Sequence, residues 1–145
     1  MNNVIVSCLS CGKKNRVPAD KQHLKPKCGH CKAYVDMSNQ AVPVELSDHE
    51  FHDFVKSATK PVMVDFYSPS CGPCQTMLPI VNLMARDHIN RNIVAKVDTS
   101  KNQQITSFFN IRGVPTFMFF SKGSLIDQIS GAVSQDILES KLNDL

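Results

Sequence analysis

Val62-Met63-Val64-Asp65-Phe66-Tyr67-Ser68-Pro69-Ser70-Cys71-Gly72-Pro73-Cys74 is the stretch that decides the fold of this chain. Its first half is an apolar run of strand length, as expected of a strand buried in a sheet. Its second half places a Cys-x-x-Cys pair where that strand ends and a helix, predicted from Gly72 to about Ile89 with a kink at Pro79, begins. A sulfur at such a helix start lies near unpaired backbone N–H groups and the positive end of the helix dipole. Both stabilise a thiolate, so the Cys71 pKa is expected below that of a free thiol. Pro73 suits the first helical turn, where its missing N–H costs nothing. Cys74 falls further inside, poised to attack a mixed disulfide formed at Cys71, which would close an intramolecular disulfide and release a reduced substrate.

Outward from this point, strands and helices alternate. Ser47-Asp48-His49-Glu50 has the form of a capping box and predicts a helix over Asp48–Ser57, with Phe51, Phe54 and Val55 on one face. Ile93–Val97 reads as the next strand and Asn102–Phe109 as a short helix. Thr116–Phe120 and Leu125–Ile129 read as a hairpin across Ser121-Lys122-Gly123-Ser124, and a last helix starts near Ser134. The expected class is α/β, a mixed central sheet flanked by helices. Hydrophobic residues at 42% of the 145 suffice to fill such a core.

The amino end differs in character. Residues 1–35 carry seven Lys or Arg against Asp20 alone, a formal +6, whereas residues 36–145 carry nine against twelve acids, a formal −3. That split argues for two modules. All six cysteines fall into Cys-x-x-Cys pairs, and the first four, Cys8, Cys11, Cys28 and Cys31, have the double spacing of a four-cysteine zinc site. Two residues between cysteines let one tight turn aim both sulfurs at one ion, and two such turns complete a tetrahedron. Gly12 and Gly29 are expected to supply the backbone freedom of those turns. A module this short needs a metal or disulfides to hold its fold; four free or disulfide-paired cysteines are the alternative to zinc. Four cysteines saturate a zinc ion, so His30 is expected to face solvent. The expected division is a zinc ribbon over 1–36, a linker over 37–44 leading into a first strand, and the α/β domain over 45–145.

The α/β part resembles a thioredoxin on several separated features: Cys71-Gly72-Pro73-Cys74, the preceding Val64-Asp65-Phe66, Pro79 in the helix, Lys96-Val97-Asp98, Arg112-Gly113-Val114-Pro115-Thr116 and Gly131-Ala132. With the four-cysteine module in front, nearly the whole chain resembles the zinc-binding bacterial thioredoxins, the thioredoxin 2 group. The resemblance implies a thioredoxin fold and reduction of protein disulfides, with Cys71 attacking, Cys74 resolving, and recharging by a thioredoxin reductase. It implies that Asp65 is a buried carboxylate relaying the proton of Cys74, with Lys96 as its neighbour. Pro115 would be a cis-proline beside the cysteines, and Ser70, Gly72, Pro73, Val114 and Pro115 would form the substrate-binding rim. The implied cofactors are one structural Zn²⁺ and the redox-active Cys71–Cys74 disulfide.

The chain departs from that family in one respect. Ser70 stands where the family normally has tryptophan before the first cysteine, Tyr67 stands where many members have another, and the chain has no tryptophan. An oxidase or isomerase would use the same dithiol in the other direction, and a potential above the cytosolic glutathione range would favour it. A basic ribbon holding nucleic acid is a reading of another class; Tyr34 as the module's only aromatic residue weighs against it. Zinc ejection by oxidants is a further alternative. No stretch is long and apolar enough to span a bilayer and the amino end lacks a secretory signal, so a cytoplasmic, membrane-free protein is expected, with monomer as the default.

Overall fold

In Asn3-Val4-Ile5-Val6-Ser7 every second residue is an inward valine, and the segment forms strand β1 (Asn3–Ser7) with Val4 and Val6 buried. The structure, a computed structural model, describes residues 2–145. β1 pairs antiparallel with β2 (Lys14–Pro18), and a 3-10 turn over Ala19–Leu24 follows. The chain then enters a five-stranded sheet made of β3 (Val44–Glu45), β4 (Val62–Tyr67), β5 (Ile93–Asp98), β6 (Thr116–Ser121) and β7 (Ser124–Ser130). Their spatial order is β3-β5-β4-β6-β7; the first three strands run parallel and the last two antiparallel to their neighbours. Helices α1 (Phe51–Ser57) and α3 (Gln103–Phe108) cover one face, and α2 (Gly72–Asp87) and α4 (Gln135–Asn143) the other. This is the thioredoxin fold, preceded by a four-cysteine ribbon.

The central strand explains the continuous apolar run. Val62, Val64 and Phe66 of β4 pack with Phe51, Val55 and Ile105 on the α1/α3 face. Met63, one step out of phase, packs with Met77, Val81 and Leu138 on the α2/α4 face. Both faces are buried, so no polar alternation is left to see. β6 and β7 close through Lys122-Gly123, both with positive φ (52° and 81°), as a two-residue primed turn requires. The hairpin strands therefore run one residue further at the turn than the sequence suggests.

The start of α1 differs from expectation. The helix begins at Phe51, not Asp48, although Glu50 does reach back, accepting from the Ser47 N–H at 2.9 Å. Asp48 serves another helix: its carboxylate accepts from the backbone N–H of Gln104 and Ile105 (3.3 and 2.9 Å), capping α3 from across the fold. Asn102 completes the exchange by accepting from the Asp48 N–H at 3.0 Å. Replacing Asp48 with Ala leaves these α3 donors without their partner, and an expected loss of about 1–2 kcal/mol should appear in the denaturant midpoint. Asp48→Asn, which keeps an acceptor, should lose less.

The ribbon also departs from expectation in its packing. Segment 13–27 is polar in composition, yet Val17 and Ala19 are fully buried. The ribbon core of Val4, Val6, Val17, Cys8, Cys28 and Val35 is continuous with Met37, Ala41 and, from beyond the end of α2, Ile89. Gln22 grips Val42 through both its amide nitrogen and its oxygen. Residues 37–44, expected as a linker, are thus packed down, with Met37, Ala41 and Val44 buried. Positive φ in the two cysteine turns falls on Gly12 (78°) and Lys32 (66°), each just after the second cysteine, and not on Gly29. Gly29 instead donates its N–H to Asn15 Oδ1 at 3.0 Å.

Candidate active site

β4 ends where α2 begins, and that junction sets the two sulfurs. Cys71 is the N-cap of α2, in extended conformation, and its Sγ accepts from the Cys74 N–H at 3.1 Å. Pro73 occupies the first turn, where its missing donor leaves nothing unpaired. The two cysteines are joined as a disulfide with Cα atoms 5.2 Å apart. Cys71 is half-buried, while Cys74 lies behind it at 5% exposure. An incoming group meets Cys71 first.

The loop before β6 closes over this pair. The Val114–Pro115 peptide bond is cis, and Val114 O lies 3.7 Å from Cys71 Sγ. Pro115 is buried and its carbonyl accepts from the Gly131 N–H at 2.8 Å, while Thr116 donates its hydroxyl to Gly113 O at 2.7 Å. Ser70, Gly72 and Pro73 are exposed around Cys71, and Val114 is half-buried. The Ser70 hydroxyl lies 3.2 Å from that of Ser68. In place of a large ring, the rim carries small side chains.

Asp65 shares the face of β4 that carries Met63 and therefore points to the α2 side of the sheet. It is buried, and Oδ1 has no hydrogen-bond partner. Burial pushes its carboxyl up to about 7; Lys96 opposes that rise and Glu45 adds to it. Lys96, directly across on β5, sits with its ammonium 5.3 Å above the Tyr67 ring. Sequence reasoning missed Glu45. It accepts from the Tyr67 hydroxyl at 2.5 Å, and its other oxygen is buried without a partner. The one signal for it was an acid between Val44 and Leu46 in a short strand.

The ribbon brings its four cysteines together. Their sulfurs all lie within 4.8 Å of one another, with Cys8–Cys31 and Cys11–Cys28 each at 3.6 Å. Tetrahedral bonds of about 2.3 Å to zinc place sulfurs about 3.8 Å apart, so the cluster fits the ion. Backbone N–H groups of Cys31 and then His30 bring the Cys28 thiol down to about 6. The thiol of its neighbour Cys11 is pushed up to about 11, the lowering by the Lys13 backbone N–H being outweighed by desolvation and by hydrogen bonds shared with the other three. His30 is exposed and stands outside the cluster.

A helix-capping cysteine, a shielded partner one turn on and a cis-proline loop against the first of them define a thiol–disulfide oxidoreductase. Residues 42–144 match the family described as Thioredoxin, and residues 7–33 the one described as Thioredoxin 2, N-terminal, a zinc ribbon. Thioredoxin C-3 of Corynebacterium nephridii is 36% identical over 132 residues, covering 90% of this chain and 87% of that protein. The bifunctional thioredoxin reductase/thioredoxin of Mycobacterium leprae is 34% identical over 113 residues, which span 78% of this chain and 25% of that protein. Among solved structures, a mutant thioredoxin from Halobacterium salinarum NRC-1 superposes with a TM-score of 0.65 at 33% identity, covering 71% of this chain and 89% of that one. The chain belongs to the thioredoxin family, as a protein-disulfide reductase with a metal-binding ribbon. Among the described residues no helix is long and apolar enough to cross a membrane.

Proposed function

We propose that this protein reduces disulfides in protein substrates by attack of Cys71, resolution by Cys74 and recharging by a thioredoxin reductase. The observation that carries this reading is the depth order of the two sulfurs, an accessible one on a helix N-terminus and a shielded one behind it.

In the reduced protein the Cys71 thiolate attacks one sulfur of the substrate disulfide. A Cys71–S bond forms, the substrate S–S bond breaks, and the departing thiolate takes a proton. Asp65 then accepts the Cys74 proton, and the Cys74 thiolate attacks Cys71 Sγ. The intramolecular disulfide forms, the second substrate thiolate leaves and is protonated, and two electrons have passed to the substrate. Lys96 offsets the charge that appears on Asp65. Ser70, Gly72 and Pro73 form the rim against which the substrate lies. An extended substrate segment pairs with the backbone at Val114 while Pro115 packs beside the sulfurs, a strand-addition mode.

Cys8, Cys11, Cys28 and Cys31 hold one structural Zn²⁺, which supplies folding energy to the ribbon. Residues 1–36 form that ribbon and 45–145 the redox domain, with 37–44 joining them. The protein works as a monomer in the cytoplasm. The relative from Mycobacterium leprae whose name joins a thioredoxin reductase to a thioredoxin supports pairing with such a reductase.

The test is NADPH-linked reduction of a protein disulfide by the zinc-loaded protein and a thioredoxin reductase. Sustained NADPH consumption that requires both proteins is expected. No consumption, with both active-site thiols titratable, overturns recharging by that reductase and points to another electron donor or to an oxidising role.

A further inference from the structure

Three adjacent strands place three charged residues in one row. Glu45 of β3 and Asp65 of β4 each stand in register with Lys96 of β5, one on either side. Neighbours in register share a face, so all three side chains lie on the α2 side of the sheet. Two residues further along the strands, Tyr67 stands beside Asp98 in the next row. The Tyr67 hydroxyl ties this row back to the first by donating to Glu45 Oε1 at 2.5 Å.

The pattern of unmet bonding picks out the two carboxylates. Only four buried side-chain polar atoms among the described residues lack a partner, and two of them are Asp65 Oδ1 and Glu45 Oε2. Lys96 lies within 4.0 Å of neither carboxylate and rests instead above the Tyr67 ring. One cation is therefore shared between two incompletely satisfied acids. Glu45, Tyr67 and Lys96 also line a groove of about 780 Å³ that runs to Pro69, two residues before Cys71. The groove passes the Glu45 end of the row.

We propose that Glu45 is a positioning residue for the reaction: clamped by Tyr67, it competes with Asp65 for the charge of Lys96 and thereby sets the pH at which Asp65 takes the Cys74 proton. This rests on the proposed role of Asp65 as the base for Cys74. The other groups facing this region leave Glu45 as its adjustable element. Asp98 of β5 is engaged by the Ser100 N–H and hydroxyl, and Glu50, on the groove, by Ser47. Lys101 lines the groove as well. From β6 the residue opposite Asp65 is Phe117, and on this face α2 and α4 present the apolar Met77, Leu138 and Leu142.

The sign follows from the charges. With Glu45 present, Lys96 is partly offset, and Asp65 keeps its proton to higher pH, in line with the direction of the Glu45 effect on a carboxyl held at about 7. Glu45→Gln leaves Lys96 to Asp65 alone, so Asp65 ionises at lower pH. The experiment follows the Asp65 carboxyl carbon by NMR across pH, together with the acid limb of substrate-reduction turnover. Glu45→Gln is expected to lower both midpoints by on the order of half a pH unit. Tyr67→Phe frees Glu45 from its place and should move them the same way by less, and Lys96→Met should move them up. A carboxyl midpoint that ignores Glu45→Gln but responds to Lys96→Met overturns the role of Glu45. An acid limb that survives unchanged in Asp65→Asn instead removes Asp65 as the base, and the role of Glu45 in the reaction with it, even where NMR still records their coupling.

Discussion

Changing Cys74 to Ser is expected to stop turnover and leave the protein covalently joined to its substrate through Cys71. The outer sulfur still lies on the α2 N-terminus, where unpaired N–H groups and the helix dipole favour its thiolate, so the first exchange proceeds. The second exchange needs a thiol held against the new mixed disulfide. Cys74, 5% exposed and one helical turn away, is the only cysteine beside it; the other four are in the ribbon cluster. Without it, release depends on an external thiol, and the loss of an intramolecular partner amounts to about a thousandfold or more in rate. Cys71→Ser is expected to lose turnover equally but to trap nothing, because Cys74 lies too deep to meet a folded substrate. Mass spectrometry of the adduct decides the matter. A substrate sulfur found on Cys74, or turnover that persists in Cys74→Ser, would reverse the assignment of the two roles.

The parts of this picture that were legible in the sequence are those written in local spacing. Three Cys-x-x-Cys pairs, an apolar run ahead of one of them, and Lys122-Gly123 between two apolar segments each carry their meaning within a few residues. The parts that were not legible depend on register between distant strands. Glu45 lies 51 positions from Lys96, and only the parallel pairing of β3 with β5 brings them together. Asp48 looked like the start of its own helix because Ser47-Asp48-His49-Glu50 satisfies the local rule. The structure uses its carboxylate 57 residues away, at Ile105. The packing of the ribbon is hidden from local composition for a similar reason. Composition shows how little apolar material Lys13–Lys27 holds, but not that Val17 packs in one cluster with Ile89. The role expected of Gly29 falls to Lys32, since the left-handed residue of each turn is the one just after the second cysteine, whatever its side chain. Tyr67 is legible in the sequence only as a departure, a smaller ring where the family resemblance leads one to expect tryptophan. Its hydroxyl is what a tryptophan lacks, and that hydroxyl is what holds Glu45.

Stripping zinc from the ribbon is expected to unfold β1 and β2 while leaving disulfide reduction running. The ribbon's own buried side chains are chiefly Val4, Val6, Val17 and Val35. Each contributes about 1.5–3 kcal/mol by burial, against about 1–2 kcal/mol of backbone entropy for every residue ordered. Four valines cannot hold a segment of more than thirty residues, whereas structural zinc supplies on the order of 10–16 kcal/mol in small peptides. Two of the four cysteines, Cys11 and Cys31, are exposed, which would give a chelator its point of entry. The α/β domain has its own two clusters, on either side of the sheet, and neither includes a ribbon residue. Its cost on zinc loss is the uncovering of Ile89, Ala41 and Met37, a small apolar patch expected to raise self-association. Hydrogen exchange checks the first half: amides of Asn3–Ser7 and Lys14–Pro18 should lose protection on chelation while those of Val62–Tyr67 keep it. The NADPH-linked assay checks the second, with the rate expected within about twofold of the zinc-loaded protein, since surface changes away from a site act weakly on it. Loss of β4 protection together with β1 would mean that the ribbon and the sheet fold as one cooperative unit through Ile89. A large fall in rate with β4 still protected would mean that the ribbon reaches the redox site, for which Asn2 offers a route: it bonds to Pro43 O and lines the groove beside Glu45 and Tyr67.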